Sequence, residues 1–394
     1  MKKLIGATGA ILLALSAVVL GTQSAGAAPV HKLQVERLCA QAAPHSAACF
    51  GEKLVPSAGL SPRLSGPPSS AITPAQLQDA YNLSGLQSGG RTVAIIDAYG
   101  YPNLERDLGI YRSQFGLPAC TKANGCLKIL SQTGGTSLPA FNAGWAGEQA
   151  LDVDAVSAAC PDCRITVVQA KTPSFTNLGT AAITASKQPG VVAISNSYGG
   201  GDASDATYSK YYNFPGIAVT ASTGDSGYQG GSYPASSSYV TAVGGTTLTA
   251  SSTSRGWSES AWSGAGSGCS TLNQALPAAA AVDTGCSGRA MADVSAAADP
   301  NNGGLAVYYP TNSSSSTWGQ IGGTSESAPI IASVYALSGN TAGTANAIPY
   351  AHSSSLFDVT GGSNGTCPTT QWCTSRTGWD GPTGLGTPNG VSGF

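Results

Sequence analysis

This 394-residue chain has little histidine and little charge. It holds 3 His, and two of them, His31 and His45, precede the first regular pattern. That leaves His352, in Tyr350-Ala351-His352-Ser353-Ser354, with no patterned partner, so a Ser-His-Asp hydrolase is not expected. Charged residues make up 10% of the chain and the net charge is -2, which excludes a basic face for gathering phosphates. No nucleic-acid partner is expected. With 41% hydrophobic residues, disorder through self-repulsion is excluded as well. Beyond the N-terminus, no stretch approaches the roughly 20 apolar residues that a membrane span requires, so no membrane partner is expected either.

At the N-terminus, Lys2 and Lys3 precede the apolar run from Leu4 to Leu20, and Ala25-Gly26-Ala27 offers a small-residue cleavage site. Residues 1–27 read as a bacterial-type signal peptide and the protein as secreted. An exported chain should oxidise its 10 Cys. They fall as close neighbours, namely Cys39 with Cys49, Cys120 with Cys126, Cys160 with Cys163, Cys269 with Cys286 and Cys367 with Cys373, so local bridges are expected. Cys160-Pro161-Asp162-Cys163 also admits a redox reading, but such motifs open a helix after a strand, whereas this one closes a helix and leads into a strand. A zinc site would need a second such pair or paired histidines.

Residues 28–71 read as a short propeptide and linker, with Pro62, Pro67 and Pro68 in its loop-like part, and residues 72–394 as the main domain. Strand patterns at 92–99, 127–132, 164–170, 191–198 and 217–222 alternate with helix patterns at 103–115, 145–159, 176–187 and 204–213. Nearly continuous apolar strands separated by helices predict an α/β fold, a doubly wound, mainly parallel sheet with helices on both faces. Past Tyr239 the chain is rich in strands and loops until a helix pattern begins at Ser325. In such sheets function gathers at the carboxyl ends of the strands.

Three segments could carry chemistry. Glu148 and Asp152 are four apart on one predicted helix, hence on one face. They form either a solvated face together with Asp154, or a carboxylate pair that shares a proton, one acid being the base and the other its tuner. Ser325 follows Gly322-Gly323-Thr324 and opens a helix with Pro329 in its early turns. It is either an ordinary cap or a nucleophile whose developing charge the helix N-terminus favours. Asp225, in Thr223-Gly224-Asp225-Ser226-Gly227, follows a buried strand, where an aspartate can merely form a turn. Ser197-Tyr198-Gly199-Gly200 closes another strand, and its glycines would let an extended ligand approach the backbone.

Taken together, these segments resemble the sedolisin family of serine-carboxyl peptidases, which have a subtilisin-like fold and a Ser-Glu-Asp triad. The family motif S-G-T-S-x-x-x-P reads here Gly322-Gly323-Thr324-Ser325-Glu326-Ser327-Ala328-Pro329, with Gly322 in place of the leading serine. The family's E-x-x-x-D pair matches Glu148 and Asp152, and its oxyanion aspartate matches Asp225. Ile72-Thr73-Pro74-Ala75-Gln76-Leu77 looks like the usual mature start, so the resemblance runs from Ile72 to Phe394. It implies Ser325 as nucleophile, Glu148 as base, Asp152 as its partner and Asp225, protonated, as oxyanion donor. It also implies a secreted endopeptidase acting on polypeptides, most active in acid, through an acyl-enzyme.

Asp97 would extend the Glu-Asp chain, and Tyr198 stands where relatives carry an aromatic residue beside the cleft. Ser197, Gly199 and Gly200 would hold the substrate. The segments around Phe357-Asp358-Val359-Thr360 and Gly378-Trp379-Asp380-Gly381 look like the family's calcium loop. One structural calcium would take the side chains of Asp358 and Asp380 and the carbonyls of Val359, Arg376 and Gly378. The family prefers glycine where Arg376 stands, and its folded prodomains are far longer than residues 28–71. A monomer is expected. The rival readings are a catalytically silent binding homologue, and a glycoside hydrolase using Glu148 and Asp152, which would leave Ser325 without a role.

Overall fold

The computed structural model describes Met1 and residues 33–56, 64–341 and 344–394. Residues 2–27, expected to be a signal peptide, lie outside the described residues. The chain then contributes three strands, β1 (Leu33–Arg37), β2 (Ala48–Cys49) and β3 (Glu52–Pro56).

The main sheet comes next. In chain order its strands are β4 (Thr92–Ala98), β5 (Leu127–Ser131), β6 (Arg164–Ala170) and β7 (Val191–Asn196). A short strand, β8 (Tyr198–Gly201), leaves the sheet, which resumes with β9 (Ala218–Ser222). After β10 (Ser232–Tyr233) come β11 (Thr241–Ala250) and β12 (Trp257–Ala261). The ribbon β13 (Gly268–Cys269) and β14 (Ala290–Met291) precedes β15 (Val294–Ala297), and β16 (Leu305–Pro310) and β17 (Ser316–Gly322) complete the set.

The sheet order is β12-β11-β9-β7-β4-β6-β5, with β15 beside β11. All its pairings are parallel except β11 with β12. Both faces are covered, which is why the strands are apolar on both sides. In β4, Val93 and Ile95 face one core, and Ala94, Ile96 and Ala98 face the other. Asp97 therefore points, like Val93 and Ile95, to the first face.

Helices α1 (Pro74–Ala80), α2 (Leu104–Gln114) and α3 (Ala143–Ala159) cover that first face, whereas α4 (Phe175–Ser186) covers the other. A short α5 (Asp205–Tyr208) follows, and α6 (Thr324–Ser338) lies beside α3. The expected elements are therefore present, most to within a residue or two at each end. The run 191–198 breaks at Ser197, and 204–213 holds only α5 and a 3-10 turn.

All five neighbouring cysteine pairs form bridges. Cys160–Cys163 ties the end of α3 to the start of β6. No helix among the described residues is long and apolar enough to cross a membrane. Residues 33–56 do not stand apart: β3 joins a sheet in the order β1-β3-β17-β16, and β2 pairs with β8.

Candidate active site

The nucleophile candidate owes its position to two glycine caps and a proline. Gly323 precedes α6 at φ 102° and ψ 163°, a backbone region open essentially to glycine, and Gly339 closes the helix in the left-handed conformation. Pro329 has no N–H for the carbonyl of Ser325 four residues back. Ser197 Oγ lies 3.2 Å from that carbonyl, and in return Ser325 Oγ donates to the Ser197 carbonyl at 3.1 Å. Ser325 is fully buried.

Facing it is α3, apolar nearly all round and buried from Trp145 to Ala159. Gln149 fastens the helix to the end of β4, donating to the carbonyls of Ala98 and Tyr99 at 3.3 and 3.2 Å. Glu148 and Asp152 are wholly buried, so the solvated-face reading of this helix is overturned. Asp154 is buried too and accepts the Tyr308 N–H at 3.1 Å, a structural role away from the pair.

Asp152 Oδ1 accepts from Ser197 Oγ at 2.7 Å. Burial drives the Asp97 carboxyl far up, and Asp152 and Glu148 push it further. Asp152 is raised too, again by burial, so Asp97 and Asp152 titrate as a coupled pair. Glu148 is raised well above its ordinary value, chiefly by burial and then by Asp152, while the Ser325 hydroxyl and the Gly51 amide pull it down.

Asp225 completes the group. Its Oδ1 accepts from Thr324 N–H at 2.8 Å and Thr324 Oγ at 2.7 Å. Its Oδ2 has no hydrogen-bond partner, and burial followed by the charge of Glu52 raises its pKa well above the ordinary range. Asp97 Oδ1 and Oδ2, Glu148 Oε1 and Asp152 Oδ2 likewise meet no conventional donor. Buried acceptors without donors are satisfied when the acids themselves carry protons. Four acids that share protons around one hydroxyl, with one carboxylate left free, can accept, relay and return a proton, and can donate to an oxyanion.

Residues 48–51 run through this cleft. Ala48 pairs with Gly199 and Cys49 with Tyr198, antiparallel. Phe50 N–H donates to the Ser197 carbonyl at 3.3 Å and to Ser325 Oγ at 3.1 Å, and Gly51 N–H donates to Glu148 Oε2 at 2.9 Å. The expected substrate residues Ser197, Gly199 and Gly200 thus contact an extended backbone, since Gly200 also faces Ser46. Tyr198 lies beneath instead: its ring is fully buried, packs 6.3 Å from that of Trp145, and its hydroxyl donates to Asn196 Oδ1 at 2.7 Å. Neighbouring residues on a strand point to opposite faces, so only the backbone of Tyr198 fronts the cleft. His352 is exposed. Sequence reasoning missed Thr324, which holds Asp225, though it sits in the nucleophile motif, and it missed Phe50, Arg37 and Glu52.

The chain matches no family profile. It is 31% identical over 361 residues to kumamolisin of Bacillus sp. (strain MN-32), an alignment covering 82% of this chain and 62% of that protein. A solved structure of Pseudomonas sedolisin, a serine-carboxyl proteinase, superimposes with TM-score 0.68 at 24% identity, over 82% of this chain and 97% of that one. The chain is thus similar over most of its length to the sedolisin family. Over a shorter stretch of 77 residues, 18% of this chain and 12% of the relative, it is 43% identical to tripeptidyl-peptidase sed1 of Aspergillus fumigatus. Sphericase, at 15% identity and TM-score 0.53 over 82% of this chain and 98% of that one, shares the fold, which is subtilisin-like. The chain spans 62% of kumamolisin's length.

A second cluster lies near the C-terminus. Asp380 is buried, its pKa raised to about 7 mainly by burial, with Asp358 adding to the rise. Asp380 accepts from Arg376 N–H at 3.0 Å and from Thr383 N–H and Oγ at 3.0 and 2.8 Å. Asp358 accepts from Gly378 N–H at 3.0 Å. Among the described residues neither acid has a basic partner, and the carbonyls of Val359, Arg376 and Gly378 accept no hydrogen bond. Two adjacent acids and three free carbonyls suit a hard cation. The group Cys160, Asp162 and Cys163 does not, because both sulfurs are in the bridge.

Proposed function

We propose that the protein is a secreted serine-carboxyl endopeptidase, active in acid, with calcium held by Asp358, Asp380 and the carbonyls of Val359, Arg376 and Gly378. The observation that carries this reading is a peptide segment lying across Ser325 with its N–H groups on Ser197, Ser325 and Glu148. Ser325 Oγ attacks a peptide carbonyl and passes its proton to Glu148, whose basicity the Asp152–Asp97 pair sets. Protonated Asp225 donates from Oδ2 to the oxyanion, while Thr324 holds its Oδ1. The leaving amine takes the proton from Glu148, and water then hydrolyses the ester. Calcium, when bound, neutralises the Asp358–Asp380 pair and fixes the C-terminal loop. Endopeptidase action is supported by the chain continuing through the cleft on both sides of Phe50–Gly51. The mature enzyme is expected to be monomeric and to take polypeptides.

The test is digestion of an unfolded protein from about pH 2.5 to 8 by wild type, Ser325→Ala and Glu148→Gln, each freed of residues before Ile72. Digestion confined to acid, and lost by a factor of about 10³ or more in both variants, is the expected result. Folded, calcium-loaded enzyme that cuts nothing at any pH would leave a silent binding homologue.

A further inference from the structure

Residues 46–52 do more than cross the cleft. Their backbone follows the register that a reacting substrate would need, with one peptide bond, Phe50–Gly51, centred on the acids. A Cβ on Gly323 would overlap the Phe50 carbonyl oxygen and come within 2.5 Å of Asp225 Oδ2. The carbonyl therefore lies beside the unpartnered oxygen that would donate to it, while the Gly51 nitrogen lies 2.9 Å from Glu148 Oε2. On the far side of the bond, the Gly51 carbonyl accepts Leu38 N–H at 2.8 Å.

The ring of Phe50 occupies a pocket made by missing side chains. A Cβ on Gly199 would sit 2.7 Å from Phe50 Cε2 and Cζ, and one on Gly224 would sit 3.6 Å from Cζ. Beside the ring opens a cavity of about 350 Å³ lined in part by Gly200, Asp225, Gly266 and Ser267. The segment is braced from outside the cleft. The Cys39–Cys49 bridge closes it on one side, and Arg37 donates to the Asp225 carbonyl at 3.2 Å and to Ser226 Oγ at 2.7 Å. The strand β1, exposed along its whole length, is held by its pairing with β3.

We infer that Phe50–Gly51 is this chain's own reactive bond, that the Gly199–Gly224 pocket selects an aromatic residue before the cut, and that the bridged segment blocks the cleft until Ser325 cuts it. This rests on the peptidase reading. In the step, Ser325 Oγ bonds to the Phe50 carbonyl carbon, and its proton passes through Glu148 to the Gly51 nitrogen as the C–N bond breaks. Water then splits the ester, leaving Phe50 as a free acid and Ser325 restored. Both cysteines of the bridge precede the cut, so no bridge ties the piece ending at Phe50 to the enzyme.

The full-length chain is purified near neutral pH, acidified, and followed by mass and N-terminal sequencing. Wild type should acquire a terminus at Gly51 while Ser325→Ala stays intact and folded. Phe50→Asp should slow this cut at least about tenfold, with an unchanged far-ultraviolet spectrum as its folding control. On peptides differing only in the residue before the cut, kcat/KM for Phe should exceed that for Ala by about 10-fold or more, and Gly199→Ala should reverse the order. Retained cleavage of the Ala peptide shows that the Gly199→Ala variant is folded. If wild type digests unfolded protein, Ser325→Ala does not, and the cuts show neither an aromatic preference nor a Gly51 terminus, the inference is overturned and the peptidase stands. If no substrate is cut at all, both fall.

Discussion

Asp225 carries an unusual division of labour between its two oxygens. Oδ1 is saturated by Thr324 N–H and Oγ, and Oδ2 is left without a partner. An amide at this position would keep both duties, since an asparagine Oδ1 still accepts from Thr324 and its Nδ2 still donates, now without needing a proton. Activity of the wild type should rise as the Asp97–Asp152–Glu148 group gives up a proton and fall as Asp225 loses its own, giving a bell in acid whose limbs belong to coupled groups. Asp225→Asn should remove the falling limb and extend turnover to higher pH, whereas Asp225→Ala should lose about 10²–10³ in kcat at every pH. A falling limb that survives in Asp225→Asn would assign it to another acid. Ser197 is a positioning residue: Ser197→Ala removes the 2.7 Å bond to Asp152 and the contact with the carbonyl that Pro329 leaves free. That change should shift the rising limb and lower kcat more than it raises KM.

Between elements, two helices meet, the middle of α3 bringing the acids and the N-terminus of α6 the hydroxyl. Gly323 sets the geometry at the entry to α6, where φ 102° admits no Cβ and the space is filled by the Phe50 carbonyl and Asp225 Oδ2. Gly323→Ala should cost about 1–3 kcal/mol of stability through backbone strain. It should also cut kcat/KM far more than that strain implies, because the methyl stands where a substrate carbonyl must lie. Thermal melts and kinetics on the same sample separate the two effects. Much at this scale was legible beforehand: the spacing of Glu148 and Asp152, the glycines before Ser325 and the alternation of strands and helices all follow from local chemistry. The burial of α3 was legible in principle, since alanine, valine and leucine surround its acids on every side. The break at Ser197 was not, because no glycine or proline interrupts the stretch before Gly199, and only the departure of β8 to pair with β2 and β10 ends β7. The leader was illegible for another reason: β1 is exposed throughout, so its short alternation of Leu33 and Val35 with polar residues marks no buried face, and while β3 pairs with it locally, Arg37 and β3 find their other partners, Asp225, Ser226 and β17, far along the chain.

Over the whole molecule, the buried acids reverse the usual response to pH. Asp97, Glu148, Asp152, Asp154, Asp225 and Glu326 all have pKa values raised mainly by burial, so the folded chain holds protons that the unfolded chain would release. Their contribution to stability is complete below the unfolded carboxyl range near about 4 and is lost as pH rises through the folded values. Melting temperature should therefore fall from acid toward neutral pH, and replacing Glu326, which touches no reacting group, by Gln should flatten part of that slope. The proposed calcium loop supplies an independent handle on the same quantity. A cation that binds only the folded chain at about 100 times its Kd adds about 2.7 kcal/mol. Chelation at fixed pH should therefore lower the melting temperature by several degrees, and calcium, but not magnesium, should restore it, because loop carbonyls and bidentate carboxylates favour the larger ion. In Asp380→Asn the shift on chelation should disappear while the Ser325 cluster stays assembled, so that residual acid activity, measured below the variant's own melting point, remains. Chelation that leaves the wild-type melt unmoved would mean that Asp358 and Asp380 repel one another without a resident cation, Asp380 then keeping its proton through its raised pKa of about 7.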